Sequence, residues 1–315
     1  MADQPMYSFA TLRNRLVVQG ELVAVTGLRI GAGRASDVLG SDLPVLRDAL
    51  SRPYIPGASL KGALRARMEG LVRAAASAIG RAGFEPLQRL ALELRRSPAA
   101  QHSKLIQTIE RDRAVLDFGE LEQRTRELRS VREQVPVLSE EDYSSLIWRL
   151  STTIDLTFGS PEVAGRLFLK DAQVDPSLWF GQFEERNGVA LNRDTETVET
   201  GLLYDYEVVP AGTRFDFELV LENAEEWQLG MVLLSLKPWE RGEAQIGGFR
   251  SRGLGYVRLE RVERRFLALH GVDDVLQLLD EGVTAALDDA QAESWYQAFR
   301  LKLGEEAKRA AAAGS

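Results

Sequence analysis

No cysteine occurs anywhere in the 315 residues. A disulfide framework, a thiolate-bound zinc and a cysteine nucleophile are therefore excluded. Histidine is nearly as scarce, with only His102 and His270, so a zinc site built on imidazoles is not expected. No stretch approaches the roughly 18 consecutive apolar residues that cross a bilayer, and the opening MADQPMYSFATLRNR lacks the apolar centre of a signal peptide. These absences predict a soluble, cytoplasmic protein with no membrane partner. What is present, 44% apolar and 27% charged residues, can bury one substantial core or two modest ones and does not fit a disordered chain.

The formal charge of −8 weighs against a free-standing nucleic-acid binder. Its distribution matters more than its total. Between Arg47 and Arg73 the basic residues Arg47, Arg52, Lys61, Arg65, Arg67 and Arg73 face only Asp48 and Glu69. Between Phe266 and Phe299 there is no Lys or Arg, while acidic residues such as Asp273, Asp274, Asp280 and Glu281 accumulate.

Hydrophobic periodicity predicts the elements. Residues 15–26 alternate as a strand with Leu16, Val18, Leu22 and Ala24 on one face. A Gly- and Pro-rich loop follows to Pro56. Ser59 reads as the N-cap of a helix to about Gly80, with Lys61 and Arg65 one turn apart near its positive end. Residues 81–145 read as a helical insertion. Residues 165–174, 214–221 and 255–263 read as strands, the second with Phe215, Phe217, Leu219 and Leu221 on one face. Asn223 with Glu226 predicts a helix start running to about Leu236. The order strand, helix, strand, strand, helix, strand predicts an α+β, ferredoxin-like or RRM-like antiparallel sheet. Residues 1–80 and 146–265 would form this core, 81–145 the insertion, and 266–315 an acidic C-terminal helical tail.

Two segments carry a phosphate chemistry of their own. Gly247, Gly248, Ser251, Arg252, Gly253 and Gly255 would place backbone N–H groups beside Arg250 and Arg252, a combination that holds a phosphodiester. The competing reading is a turn in which Gly253 and Gly255 only supply positive φ. For Lys61 and Arg65 it is a solvated helix face. PGASLKGALR lacks the GxxxxGK[ST] spacing, so nucleotide hydrolysis has no support.

Four segments in order, TGLRIGAGRASDVLGSDLPVLRD, RPYIPGASLKGALR, FGSPEVAGRLFLKDA and IGGFRSRGLGYVRLE, resemble the RAMP proteins of type III CRISPR effector complexes. Specifically, they resemble the backbone subunit repeated along the guide RNA, of the Csm/Cmr or III-D type. The resemblance implies an antiviral-defence protein whose partners are crRNA, target RNA, other type III subunits and copies of itself or paralogues. It places Ser59, Lys61, Arg65, Arg250, Ser251, Arg252, Gly253 and Gly255 on the guide RNA. Residues 181–205 are too long for a hairpin turn, and the family's base-splaying thumb falls here, with Asn192, Arg193, Asp194 and Thr195 resembling its base; the competing reading is a surface loop. Some relatives carry a cysteine-bound zinc before the FGS segment. Here the 81–145 insertion would replace it.

Asp42 in GSDLPV stands where catalytic members of the family carry an aspartate. An ordinary aspartate, with pKa about 3.9, is a weak base, so a role in holding Mg²⁺ is favoured over proton abstraction. A turn-forming Asp near proline is the competing reading. Asp37 and Asp48 lie on the same loop. Three functions stay open: a crRNA-binding subunit that also cleaves target RNA as a metal-dependent endonuclease, the same subunit without cleavage, and an unrelated ferredoxin-like interaction module. A guide-processing endonuclease is disfavoured, since neither histidine lies in these segments.

Overall fold

The computed structural model describes residues 9, 11–33, 41–76, 151–161, 163–191 and 198–313. The expected insertion 81–145 and the residues Asn192, Arg193, Asp194 and Thr195 lie outside them. In chain order the elements are β1 (Asn14–Ala24), β2 (Tyr54–Ile55), α1 (Gly57–Ala76), α2 (Thr153–Phe158), β3 (Leu167–Leu169), β4 (Ala172–Gln173), β5 (Glu184–Leu191), β6 (Val198–Val208), β7 (Arg214–Glu222), α3 (Glu226–Glu240), β8 (Ala244–Gln245), β9 (Tyr256–Ala268), α4 (Val272–Asp280) and α5 (Asp289–Ala313).

The main sheet has the order β3-β7-β1-β9-β8, with every neighbouring pair antiparallel. Its first four strands are the second, third, first and fourth of the predicted set, which is the ferredoxin-like arrangement. The alternation read from the sequence is the alternation observed. Leu16, Val18, Leu22 and Ala24 of β1 and Phe215, Phe217, Leu219 and Leu221 of β7 all face one core, each at most 2% exposed. Burial of each large side chain in this row stabilises by about 1.5–3 kcal/mol. Between Gln19 and Glu21 the β1–β9 register slips at a bulge, where Arg261 has φ 51°. Gly20 is required there, since a Cβ would meet the Glu260 carbonyl oxygen at 2.8 Å.

Two local readings need correction. The predicted strand 165–174 is two pieces: β3 joins the main sheet, while β4 pairs with β2. Helix α3 does not start on Asn223. That residue has φ 53° and accepts from the Arg13 N–H at 2.7 Å, while Glu225 caps, its N–H donating to the Gln228 side chain at 2.9 Å. The C-terminal tail is helical as expected, and α5 closes over α3 and puts Trp295 and Phe299 into the core. Gly230 makes that approach feasible, since a Cβ there would lie 2.0 Å from the Trp295 carbonyl oxygen. Helix α4 faces outward, with Val272, Val275, Leu276 and Leu279 exposed.

Candidate nucleic-acid interface

The PGASLKG and RLFLKDA segments are locked together. Helix α1 begins at Gly57, so Ser59 lies within the first turn and is not its cap; its own N–H donates to the Pro56 carbonyl at 2.9 Å. The cap comes from across the fold, where the Asp171 carboxylate accepts from the Gly57 N–H at 2.7 Å. The positive end of the helix is therefore already occupied by an internal anion. Lys61 is half-buried and donates to the Leu167 carbonyl at 2.8 Å. Burial, and then the neighbouring Arg65, push its ammonium below the ordinary lysine value.

Arg65 pairs with Glu69 at 2.7 Å and Asp155 at 2.9 Å and donates to the Gly159 carbonyl. Burial acts to lower its pKa, but Glu69 and Asp155 outweigh it and the net direction is upward. Neither Lys61 nor Arg65 is thus a free cation on a solvated helix face. Their first partners are internal, and spacing along one helix could not reveal acceptors brought over by β3 and α2.

The glycine-rich loop also differs from its expected form. Arg250–Arg252 form a single 3-10 turn bounded by Phe249 and Gly253, both left-handed at φ 56° and 82°. Much of the backbone expected to face a phosphate is spent internally. The N–H groups of Gly248, Arg252, Gly253 and Gly255 donate to the carbonyls of Arg29, Phe249, Arg250 and Gly27. Gly255 has φ 88° and lies so close to Ile246 that a Cβ would sit 2.2 Å from its carbonyl oxygen. What the loop offers outward is the side chains of Arg250, Ser251 and Arg252, all exposed. Phe249 keeps a conformation that costs a non-glycine residue on the order of 1–3 kcal/mol.

That loop is joined to the base of the β5–β6 ribbon. Arg252 donates to the Tyr204 hydroxyl and lies 4.7 Å from the Phe249 ring centroid and 5.9 Å from that of Tyr204. The Tyr204 hydrogen bond raises the Arg252 pKa. Tyr206 meets Phe249 edge-on at 4.8 Å, over buried Val208 and Leu254. Opposite Tyr204 the ribbon carries Gly188, whose missing Cβ leaves room for the ring, as a Cβ would lie 2.2 Å from it. Two arginines and two aromatic rings at the foot of a long hairpin make a surface suited to phosphates and stacked bases.

Asp42 is joined to β6 of the same ribbon. Leu43 pairs with Tyr206, and the Asp205 N–H donates to one Asp42 carboxylate oxygen at 3.2 Å. Asp42 and Asp205 are both exposed, and the contact between them is the Asp205 backbone N–H on the Asp42 carboxylate. Asp48 stands apart from them. It accepts from the Leu50 and Arg52 N–H groups and the Arg52 side chain, each at 2.9 Å, and so closes its own turn. Those bonds, the Arg52 N–H foremost, hold its carboxyl below the usual range. Asp37 lies outside the described residues. Among the described residues no three Asp, Glu or His groups are arranged to hold a metal ion.

The four sequence segments therefore meet in two assemblies, one around Gly57 and one around Gly255, within a stretch that the RAMP superfamily model matches over residues 21–258. The chain belongs to the RAMP superfamily. Shorter stretches of this RAMP chain are similar to proteins named CRISPR system Cms endoribonuclease Csm3. Identity is 46% over 55 residues with the protein of Methanothermobacter thermautotrophicus, covering 17% of this chain and 22% of that relative. It is 51% over 53 residues with that of Mycobacterium tuberculosis, covering 16% and 22%. With that of Methanocaldococcus jannaschii it is 42% over 60 residues, covering 19% and 24%. These alignments span less than a quarter of each relative's length. Among the described residues no helix of the RAMP chain is long and apolar enough to cross a membrane.

Proposed function

We propose that this RAMP chain is a crRNA-binding backbone subunit of a type III CRISPR effector complex and that it cleaves target RNA paired to the guide. In this reading it assembles with other type III subunits and with copies of itself or paralogues. The observation that carries the reading is the surface at the ribbon's foot, where exposed Arg252 lies over the Tyr204 and Phe249 rings and exposed Arg250 follows Phe249 in the chain, within the family-matched region. Arginine charge attracts the phosphodiester backbone without reading sequence, and aromatic faces accept any base. A subunit whose guide changes from one complex to the next needs that combination.

Asp42 is the proposed catalytic residue. Cleavage beside a 2′-hydroxyl requires that oxygen to lose its proton and attack the adjacent phosphorus while the bond to the 5′-oxygen breaks. The products are a 2′,3′-cyclic phosphate and a 5′-hydroxyl. One Asp42 oxygen is fixed by the Asp205 N–H, which leaves the other to face the RNA. Mg²⁺ is commonly held by one or two carboxylates together with substrate phosphates, and the exposed Asp42 carboxylate fits that sparse mode. When bound, the ion would neutralise charge on the reacting phosphate. The chain's own residues would orient the strand, Arg252 on a phosphate and Tyr204 against a base.

The test is expression with a guide array and the companion subunits, followed by extraction of bound RNA and incubation with labelled complementary target in Mg²⁺. Array-derived RNA in the purified complex and regularly spaced target cuts support both parts of the reading. Array-derived RNA without any cuts would leave a non-catalytic backbone subunit. A complex that forms without RNA overturns the reading.

A further inference from the structure

Helix α4 turns its apolar face to solvent. Val272, Val275, Leu276 and Leu279 recur at the spacing that places them on one face. Val272 and Leu279 are 74% and 75% exposed, Val275 and Leu276 44% and 50%. The partly buried side consists of Asp274, Gln277 and Leu278, two of them polar. An amphipathic helix on a globular protein normally shows the reverse, with its apolar stripe toward the core. Helix α4 also lies beyond residues 21–258, which the RAMP superfamily model matches, so the family assignment does not account for it.

The orientation is held by specific bonds. The Asp274 carboxylate accepts from the N–H groups of His270 and Gly271 at 2.7 and 3.1 Å, which caps the first turn. The Gln277 side chain donates to the Thr284 hydroxyl at 3.0 Å. At the other end Gly282, with φ 74°, donates its N–H to the Leu278 carbonyl at 3.2 Å. Rolling the aliphatic face inward would break the Gln277–Thr284 bond. The exposed stripe therefore belongs to a formed helix fixed at both ends.

Charge selects what can cover this stripe. Asp273 and Asp280, seven residues apart and so nearly in line along the helix, are exposed at its border, and exposed Glu281 follows. The sequence holds no Lys or Arg from Phe266 to Phe299 to offset them. Phosphates of a nucleic acid would be repelled. Helices that lie on anionic membranes carry Lys or Arg beside their apolar face, and here those positions are acidic. A symmetric pair of α4 helices from two copies would bring carboxylates together. What fits is a helix with its own aliphatic stripe at matching spacing, bordered by Lys or Arg.

We infer that α4 is a docking surface for a cationic amphipathic helix of another protein, whose aliphatic side chains cover Val272, Val275, Leu276 and Leu279 while its Lys or Arg groups pair with Asp273 and Asp280. The inference does not rest on the RNA-binding reading. It gives the chain a second surface, opposite in charge to the arginines at the ribbon's foot.

The test uses the purified full chain and a fluorescent synthetic peptide of about 18 residues, long enough to hold a helix, with Leu at i, i+3, i+4 and i+7 and Lys beside them. A second peptide carries Glu in place of every Lys. The variants are Leu276→Gln with Leu279→Gln, and Asp273→Asn with Asp280→Asn. All four side chains are exposed, so both variants should keep the wild-type thermal midpoint. Fluorescence anisotropy should show the wild type binding the Lys peptide and ignoring the Glu peptide. The leucine variant should bind about tenfold more weakly, and the aspartate variant should bind more weakly with a flatter dependence on salt. Equal affinity of the wild type and the leucine variant would overturn the inference, as would equal binding of the Glu peptide or no binding of the Lys peptide. Sedimentation velocity of the wild type and flotation with phosphatidylcholine–phosphatidylserine vesicles test the other occupants. Self-association or vesicle binding that the leucine variant loses would give the face to a second copy or to a membrane, and either result would overturn the assignment to a protein helix.

Discussion

Asp171 accepts a hydrogen bond from the Gly57 N–H at 2.7 Å, so a carboxylate from the LFLKDA segment caps the helix that begins in PGASLKG. The two segments are 114 positions apart. Their pairing is a structural clasp, and it occupies the helix end that the charge pattern alone would assign to a phosphate. Asp171→Ala should therefore destabilise the fold by about 1 kcal/mol, lowering the thermal midpoint by about 2–4 °C. Gly57→Ala should do far more damage, because its Cβ would lie 2.2 Å from the Leu169 carbonyl oxygen. Thermal unfolding of both variants followed by circular dichroism checks the order.

Arg65 joins α1 to α2 through Asp155 and the Gly159 carbonyl while also holding Glu69. Its replacement by Ala should cost about 1–3 kcal/mol of stability, as charge-assisted bonds in a half-buried setting are lost. A charge reversal to Glu would add repulsion from Asp155 and Glu69 and should cost more. Denaturant titration reads both. Wild-type stability in Arg65→Ala would show that its charge is free for other work.

Arg250 and Arg252 should behave in the opposite way. Both are exposed, and only Arg252 has a side-chain partner among the described residues, the Tyr204 hydroxyl. The double variant Arg250→Ala, Arg252→Ala should unfold within about 0.5 kcal/mol of the wild type. Its RNA binding should weaken, and its salt slope should fall by about 1.4 if each arginine neutralises one phosphate. Anisotropy and thermal unfolding on the same preparation separate these effects.

The contrast between these arginine pairs marks what the sequence could convey. The buried faces of β1 and β7 were legible because a strand's period of two separates core from solvent within nine to eleven residues. The helix start at Gly57 was misread as Ser59, because the cap arrives from Asp171, and no local pattern reports a partner so distant. Lys61 and Arg65 looked like a free pair for the same reason. Asp205 was missed because it sits in the ribbon, and only the parallel bridge from Leu43 to Tyr206 brings it beside Asp42.

Asp42→Ala should abolish target cleavage while leaving RNA binding and stability at wild-type levels, because its carboxylate is exposed and among the described residues makes one hydrogen bond, to the Asp205 N–H. Removal of divalent cations with a chelator should stop cleavage by the wild-type complex, and added Mg²⁺ should restore it. Quantifying labelled products checks both, and cutting at the wild-type rate by Asp42→Ala would remove this residue from the chemistry.

The most direct test of the account is ultraviolet crosslinking of the copurified RNA to this chain, with peptide mapping of the linked residues. The account predicts nucleotide adducts on the surface at the ribbon's foot, concentrated on Tyr204 and Phe249 and reduced in the Arg250→Ala, Arg252→Ala variant. Adducts confined to other faces of the protein, with none at Tyr204 or Phe249, would contradict it.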